Sequence, residues 1–257
     1  MGTTVIYESK EGISYIHLNR PERYNALHLE MLDELLTTIE KVEANDDKVV
    51  ILSGEGNAFC SGGDISMMNQ LADYNDFASI MDLIGKITLK LFMMPKIVIS
   101  AIQGSAVGLG LSYALTADFV VAQQEAKLGM LFIGIGLAPD GGGHFLLKER
   151  IGVQRAKQFI WSLQQMDASS AKKIGLVDEL APERVMPYAI QLANKLKQTP
   201  ILSMVETKMM YHSHQKETLL DFLEAEKEAQ WKLRHTQDHE EGVQAFLNKR
   251  KPEFQGI

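Results

Sequence analysis

The stretch GLAPDGGGHF, residues 136–145, places one carboxylate, Asp140, between a proline and three glycines. An aspartate at the start of a helix commonly caps it, because its side chain accepts hydrogen bonds from the first free backbone amides. A carboxylate held over a small anion-binding pocket would instead act as a general base, which contributes about 10²–10⁴-fold to a reaction rate. Both interpretations of Asp140 are open at this level, and they do not exclude each other.

Glycines recur at two other places, each where a predicted strand leads into a helix. The first, AFCSGGDIS, contains Gly62 and Gly63, and the second, QGSAVGLGLS, contains Gly104, Gly108 and Gly110. Glycine lets the backbone approach a ligand closely and leaves amide N–H groups unpaired at a helix start. Two such amides could converge on one oxygen as an oxyanion hole, in which one donor contributes ~3–4 kcal/mol. The spacing alone favours the simpler interpretation, in which these glycines make tight turns.

Other kinds of site are poorly supported. GLGLSY does not match the dinucleotide fingerprint G-x-G-x-x-G, because its sixth residue is Tyr113, and no P-loop motif is present. Ser112 with His144 would make a serine hydrolase, but nothing places an acid behind His144, and Ser112 is not in G-x-S-x-G. His212 and His214 have no third ligand nearby, so we expect no metal site.

Strands and helices alternate along the first part of the chain. The segments TVIYES and ISYIHLNR flank the turn signal KEG and predict a hairpin. Further strands are predicted at KVVILSGEG, KIVISAIQ, DFVVA, AKLGM and LVDEL. Helices are predicted at LHLEMLDELLTTIEKVEA, at residues 75–93, and at LGLSYALT, GHFLLKERIG and QRAKQFIWSL. This alternation predicts an α/β fold.

From about Pro182 onward the pattern is helical only, and the architecture changes near residue 198. The last segment carries an apolar stripe made of Leu219, Leu220, Phe222, Leu223 and Trp231. A helical tail without a sheet of its own must bury such a stripe elsewhere. It therefore either folds back on the core or packs against another subunit.

The bulk composition restricts the class of protein. The 257 residues suffice for one large domain or for one domain with an appendage. A content of 46% hydrophobic and 23% charged residues is ordinary for a soluble globular protein. A net charge of −7 argues against nucleic-acid binding, which needs a basic surface. The single cysteine, Cys60, excludes an internal disulfide and a cysteine-cluster metal site, and fits a reducing compartment.

The sequence contains no recognisable targeting or membrane signal. MGTTVIYESKEG at the N-terminus lacks the basic and apolar regions of a signal peptide. No apolar run reaches the ~18 residues that a membrane span needs. We therefore expect a cytoplasmic protein.

Five segments together resemble the enoyl-CoA hydratase/isomerase family, also called the crotonase superfamily. HLNRPERYNAL at 17–27 resembles its N-R-P-x-x-x-N-A-L segment, and AFCSGGDI at 58–65 resembles its A-F-x-x-G-x-D motif. The glycine segment at 102–122, GLAPDGGG at 136–143 and the closing phrase AFLNKRKPEF at 245–254 follow in the family's order. The resemblance covers essentially the whole chain.

The resemblance implies a fold and an assembly. Members of the family form a spiral of β-β-α units followed by a helical C-terminal region that builds a trimer. We therefore expect a spiral acyl-CoA-binding core at residues 1–198 and a helical oligomerisation region at residues 199–257. The expected assembly is a homotrimer or a dimer of trimers.

The resemblance also implies an acyl-CoA thioester as the ligand, with coenzyme A as part of the substrate and no further cofactor or metal. Carried over by position, the backbone amides of Gly63 and Leu109 form the oxyanion hole for the thioester carbonyl. The residues implied to contact the substrate or its CoA moiety are Arg23, Ala26, Gly63, Asp64, Ile65, Ser66 and Leu109.

The chain departs from the family's hydratases at both catalytic positions. Those enzymes hold water between two glutamates, and the matching positions here are Ser112 and Phe132. Isomerases of the superfamily include members with one acid in a P-D-x-G-G loop, which PDGGG matches at Asp140. Residues 130–132, MLF, would keep the site dry and help to raise the pKa of Asp140.

The resulting hypothesis is an enoyl-CoA isomerase in which Asp140 carries a proton between C2 and C4 and shifts a 3-enoyl thioester to a 2-enoyl thioester. Three alternatives remain. Asp140 alone could activate water in a hydratase or another acyl-CoA lyase, or the chain could be a catalytically silent acyl-CoA-binding protein. An RNA-binding role is opposed by the acidic charge.

Overall fold

The first two strands form the predicted hairpin. The computed structural model describes residues 3–65 and 73–257. β1 (Val5–Lys10) pairs antiparallel with β2 (Ile13–Leu18), from Val5 opposite Leu18 to Lys10 opposite Ile13. Glu11 and Gly12 join the strands at φ 54° and 74°. Positive φ at both central residues gives a turn whose twist matches that of the strands.

A larger sheet runs through the middle of the molecule in the order β1-β2-β3-β4-β6-β9. Its other strands are β3 (Val49–Gly54), β4 (Ile97–Ile102), β6 (Phe119–Gln123) and β9 (Glu179–Ala181), and every pair from β2 to β9 is parallel. β3 and β4 are buried at every residue. Such continuously apolar strands are typical of parallel sheets that are covered on both faces.

A smaller sheet lies beside the first and consists of β5 (Ser105–Val107), β7 (Lys127–Gly129) and β8 (Met166–Asp167). β5 follows β4 almost at once, and β7 follows β6 in the same way. The bridge between Cys60 and Ala106 places the residues after β3 in the same row. From β3 to β7 the chain thus gives a strand or a bridge to each sheet in turn before the next helix, in agreement with the predicted α/β spiral of β-β-α units.

The helices follow the predicted order. They are α1 (Leu29–Ala44), α2 (Tyr74–Phe92), α3 (Leu109–Leu115), α4 (Gly143–Trp161), α5 (Ala168–Lys173), α6 (Val185–Lys197), α7 (Ile201–Leu233) and α8 (Gln237–Leu247). Short 3-10 helices cover Pro21–Arg23 and Leu131–Ile135. Within α4, Gly152 is not helical, with φ 75° and ψ 157°. This break separates the two helices that the sequence predicted here.

The core has two parts, one on each face of the larger sheet. Val50 and Leu52 of β3 point into a cluster that includes buried residues of α1 to α4. Val49 and Ile51 point the other way and pack with Ala189 of α6. This alternation follows from the two-residue period of a strand. Full burial of each aliphatic side chain is worth about 1.5–3 kcal/mol, so both faces stabilise the sheet.

The C-terminal stripe folds back on the chain's own core. Leu219 is fully buried in the first cluster, and Phe222, Leu223 and Trp231 pack against it. Nearer its start, α7 contributes Val205 to the second cluster. The stripe predicted from the sequence is therefore largely used within the monomer. Across the described ranges, no helix combines the length and hydropathy needed to cross a bilayer.

The prediction of a strand at LVDEL was wrong in position. The strand β9 begins at Glu179, because the amides of Leu176 and Val177 donate to the carbonyl oxygen of Ala171 at the end of α5. Asp178 already bonds to β6: its amide donates to the carbonyl oxygen of Val120 at 2.9 Å, and its carboxylate accepts from the Val120 amide at 2.7 Å. Regular pairing with β6 starts one residue later, with Glu179 opposite Val121.

Candidate active site

Asp140 lies in the loop between the 3-10 helix Leu131–Ile135 and α4. Gly141 and Gly142 follow it at φ 63° and 77°, a backbone conformation that glycine adopts without strain. A Cβ at Gly141 would overlap the side chain of Leu109. The loop can therefore lie directly against the start of α3 only because glycine stands there, and this packing brings Asp140 to the glycine turns.

The Asp140 carboxyl group is buried and incompletely paired. Its Oδ1 is shielded from solvent and has no hydrogen-bond partner in the described part of the chain. Its Oδ2 accepts one bond from Nε2 of Gln230 at 3.3 Å. Burial raises the pKa of the Asp140 carboxyl well above its usual range, and the negative charge of Glu226 raises it further. Such a carboxylate is a stronger base than an exposed aspartate.

Asp140 is not the side-chain cap of α4, which removes one of the two interpretations drawn from the sequence. The residue at the cap position is Gly142, which has no capping side chain. The carboxylate that serves the helix start comes instead from Glu226 of α7. It accepts from the amides of Gly142 at 2.7 Å and His144 at 3.0 Å. The carboxyl group of Asp140 is therefore not used in capping α4.

Glu226 was missed by sequence reasoning, which placed no acid behind His144. The structure places Glu226 Oε1 2.8 Å from Nδ1 of His144. A signal was present in the sequence, because Leu219, Leu223, Glu226 and Gln230 share one face of α7 by their spacing. Glu226 and Gln230 are both buried. Polar residues on a helix face that is otherwise apolar indicate buried hydrogen-bonding partners.

The two glycine turns meet at this loop. Gly62 has φ 98°, and a Cβ on it would lie 3.6 Å from the Leu109 nitrogen, so the turns are in contact. The bridge between Leu27 and Gly63 uses the amides of Leu27 and Asp64 and leaves that of Gly63 unused. Leu109 is the first residue of α3, where an amide has no partner within its helix. Neither amide donates to any residue described, so both are available to a ligand oxygen.

Two cavities join at Asp140. One, of about 300 Å³, is lined by residues of both glycine turns together with Leu131, Phe132 and Phe246. The other, of about 80 Å³, extends between α1, α2 and α7 and is lined mainly by apolar side chains such as Phe77 and Met81. Gly63, Leu109 and Asp140 line both. The proposed amide donors and the buried carboxylate therefore face the same space.

The N-terminal segment supports the first glycine turn. Arg20 donates to Asp64 Oδ2 at 2.6 Å and to the carbonyl oxygen of Ala26 at 3.0 Å. Asn25, a residue that the sequence reasoning did not select, is fully buried. Its Nδ2 donates to the carbonyl oxygens of Ala58 at 2.8 Å and Phe59 at 3.1 Å. These bonds fix the backbone on which Gly63 lies.

The other residues expected to contact the substrate lie around this turn. Arg23 is exposed at the end of the 3-10 helix Pro21–Arg23, and Ala26 is half-buried. Asp64 lines the smaller cavity and Ile65 the larger one. Ser66 falls outside the described residues.

Comparison with known proteins identifies the family. The family model for enoyl-CoA hydratase/isomerase matches residues 8–256. A Bacillus subtilis protein provisionally named enoyl-CoA hydratase/isomerase YhaR is 45% identical over 251 residues, covering 98% of each chain. The chain belongs to the enoyl-CoA hydratase/isomerase family. It is therefore an enzyme of the crotonase superfamily, as its motifs indicated.

Relatives with different reactions show how far this identification extends. The trans-2-decenoyl-[acyl-carrier-protein] isomerase of Streptococcus mutans is 30% identical over 257 residues, with 98% of each chain covered. The crystal structure of an enoyl-CoA hydratase from Mycobacterium avium subsp. paratuberculosis matches with a TM-score of 0.89 at 27% identity, covering 98% of this chain and 99% of that one. The predicted crotonase-like fold is confirmed, whereas the family includes both isomerases and hydratases.

Ser112 and Phe132, the two positions that the resemblance matches to the glutamates of the hydratases, both lie beside Asp140 or its cavity. Ser112 is buried and its Oγ donates to the main-chain oxygen of Asp140 at 2.8 Å. Phe132 forms part of the cavity wall, and its ring lies 3.6 Å from where a Cβ on Gly108 would be. The Ser112 hydroxyl donates to Asp140 and the His144 ring pairs with Glu226, so their hydrogen bonds do not form a serine-hydrolase arrangement.

The histidine pair His212 and His214 was considered above as a possible metal site. The Nδ1 of His212 lies 2.6 Å from the carbonyl oxygen of Phe92, and its ring stacks on the Phe92 ring at 3.9 Å. Residues 3–65 and 73–257 contain no group of three or more His, Cys, Asp or Glu side chains arranged to hold a metal.

Proposed function

We propose that this enzyme shifts the double bond of a 3-enoyl-CoA thioester to the 2-position, with Asp140 as its only proton-transferring carboxylate. The observation that carries the proposal concerns Asp140, which lines the cavity formed by Gly63 and Leu109: its Oδ1 is buried and has no hydrogen-bond partner among residues 3–65 and 73–257. An unpaired buried carboxylate oxygen is costly, and a bound reactant with an acidic C–H group gives it a function.

The reaction follows from three elements of the site. The amides of Gly63 and Leu109 donate to the thioester oxygen and stabilise negative charge that develops on it. Asp140 takes a proton from C2, and the electrons of that C–H bond form a dienolate whose charge rests on the thioester oxygen. The same carboxyl returns the proton to C4 as the double bond forms between C2 and C3. One base is sufficient, because the proton that is removed is also the one returned.

The apolar surroundings favour this reaction over the addition of water. Phe132 stands at the position where the resemblance places a glutamate in the hydratases, and Ser112 stands at the other. The only further carboxylate that lines either described cavity is Asp64, and it is paired with Arg20 at 2.6 Å. The described site therefore offers no second free carboxylate that could activate water together with Asp140.

An acyl-CoA thioester fits the family as substrate, and the turn from Asp64 to Ser66, with Arg23 and Ala26, is our proposal for the CoA-binding side. The Streptococcus mutans relative is named for an acyl chain on a carrier protein, so the carrier is a point to test. The region 199–257 is proposed to build a trimer or a dimer of trimers.

A direct test follows the absorbance of the conjugated thioester. The purified enzyme is incubated separately with a 3-enoyl-CoA and a 2-enoyl-CoA, and the same assay is run on Asp140→Asn. We expect absorbance to rise from the 3-enoyl substrate and the rise to be lost by about 10²–10⁴-fold in Asp140→Asn. A fall in absorbance from the 2-enoyl substrate would show hydration and overturn the proposal. Binding of CoA esters without either change would indicate a silent binder.

A further inference from the structure

Two polar side chains of α7 reach the backbone on either side of Asp140. Glu226 accepts from Gly142 and His144, which follow Asp140. Gln230 donates from Nε2 to the carbonyl oxygen of Ala138 at 2.6 Å, and Ala138 precedes Asp140. Residues four apart lie above one another on a helix, so Glu226 and Gln230 on one face of α7 bind the loop on both sides of Asp140.

We propose that Glu226 and Gln230 are positioning residues that hold Asp140 in its reactive orientation over the cavity, an inference that rests on the proposed role of Asp140 as proton shuttle. Gln230 also contacts the carboxyl group itself, through Asp140 Oδ2 at 3.3 Å. The other oxygen, Oδ1, is then the one that faces the reactant. Ser112 holds the main chain of Asp140 from the opposite side, on α3.

Packing alone does not explain why polar side chains stand at Glu226 and Gln230. Glu226 is 2% exposed and Gln230 is 4% exposed, and both share their part of the face of α7 with the apolar residues Leu219 and Leu223. Burial of a carboxylate is costly unless it is paired, and an apolar residue would fill the same space without that cost. Three hydrogen bonds to the loop and the start of α4 offset the desolvation of the buried Glu226 carboxylate. The function of a glutamate at this position is therefore to hold the loop.

The charges around Asp140 determine what each member of the pair does. The titratable and charged groups that line its two cavities are Asp64, Arg234 and His239. Tyr113, His144 and Glu226 lie next to its loop. Glu226 is the charge that raises the pKa of Asp140, in addition to burial. A hydrogen bond donated to a carboxylate favours its ionised form, so we expect the bond from Gln230 to oppose this effect. The two residues should therefore act in opposite directions on the basicity of Asp140.

The experiment uses Glu226→Gln, which keeps the shape and removes the charge, and Gln230→Met, which keeps the length and removes the donor. Glu228→Gln is the matched control, since it removes one charge from the exposed face of the same helix. The pH dependence of kcat and KM is measured for each in the isomerase assay. A misplaced base costs up to about 10²-fold, so we expect kcat to fall 10–100-fold in both site variants with little change in KM.

The direction of the pH profiles separates positioning from general damage. In Glu226→Gln the acid limb of kcat should move to lower pH, and in Gln230→Met to higher pH, while Glu228→Gln follows the wild type. A loss of kcat with unmoved acid limbs in both site variants would overturn the proposal. Should Glu226→Gln fail to fold, the Gln230→Met profile decides it.

Urea unfolding tests the interaction between Glu226 and Asp140 without any catalytic assay, so its result does not depend on the proposed function. The shift in urea midpoint caused by Asp140→Asn is measured at pH 8 in wild type and in Glu226→Gln. We expect a smaller gain in the Glu226→Gln background, because the repulsion between the two carboxylates is already gone. Equal shifts in both backgrounds would contradict an electrostatic interaction between Asp140 and Glu226. If the wild type shifts no double bond, the proposed function fails while this cycle still reports on Asp140 and Glu226.

Discussion

The hydroxyl of Ser112 donates to the main-chain oxygen of Asp140 at 2.8 Å, linking the first turn of α3 to the loop that carries our proposed base. By the family resemblance, Ser112 occupies a position where the two-glutamate hydratases carry a carboxylate. Here the residue is fully buried and supports the base of a different loop. The carboxylate that we propose as the base, Asp140, therefore lies in a different loop of the chain from Ser112.

Ser112→Ala should reduce both stability and catalysis. Loss of one buried hydrogen bond costs about 1 kcal/mol of unfolding free energy. Since the bond holds the backbone of Asp140, we also expect a several-fold fall in kcat. Ser53→Ala is the control, because Ser53 is buried and donates to the carbonyl of Ala101 at 3.1 Å, away from the site. Equal kcat values in the two variants would show that the Ser112 bond has no catalytic consequence.

The pH dependence of kcat/KM should show an acid limb above the ordinary range of an aspartate. The base must be deprotonated to take a proton, and burial together with the Glu226 charge raises the pKa of Asp140 above its usual ~3.9. Activity should therefore decline as pH falls through the raised pKa. The profile is measured with a 3-enoyl-CoA. An acid limb at or below ~4 would mean that Asp140 is not the titrating base.

Asp140→Asn should stabilise the protein increasingly as pH rises. Because the folded-state pKa is raised, the native state binds more protons than the unfolded chain between ~3.9 and the raised value. Wild-type stability contributed by this group is therefore lost as pH increases through that window. The asparagine variant lacks this loss, so its advantage in urea unfolding should be larger at pH 8 than at pH 4. A difference that does not vary with pH would refute the raised pKa.

Gly63→Ala should fold normally and bind substrate poorly. A Cβ at Gly63 meets no atom within 4 Å, and its φ is not in the left-handed region. The methyl group would enter the cavity beside the amide that we propose as an oxyanion donor. We expect an unchanged urea midpoint and a clear fall in kcat/KM.

Gly110→Ala provides the contrasting control. A Cβ at Gly110 would lie 2.6 Å from Cβ and Sγ of Cys60, which are buried under α3. We expect about 1–3 kcal/mol of destabilisation from overpacking. A Gly63→Ala variant that is destabilised to the same degree, or one that retains full activity, would argue against the cavity beside Gly63 as the reactive space.

Much of the fold and part of the site could be predicted from local patterns. The β1–β2 hairpin, the buried parallel strands and the broken helix α4 follow from alternation, apolar runs and glycine placement, all of which act over a few residues. The position of β9 could not be predicted in the same way. Its start depends on a bond between Asp178 and Val120, which are far apart in the chain.

The sequence by itself determined the family, the α/β spiral and the identity of Asp140 as the carboxylate in the loop. The order of the motifs and the types of the residues are enough for these conclusions, because they do not depend on contacts between residues that are distant in the chain. Only the tertiary structure decided that Asp140 leaves the capping of α4 to Glu226 and is supported by Gln230 and Ser112. These partners come from α7 and α3, and the long-range packing that brings them together creates the burial that gives Asp140 its raised pKa.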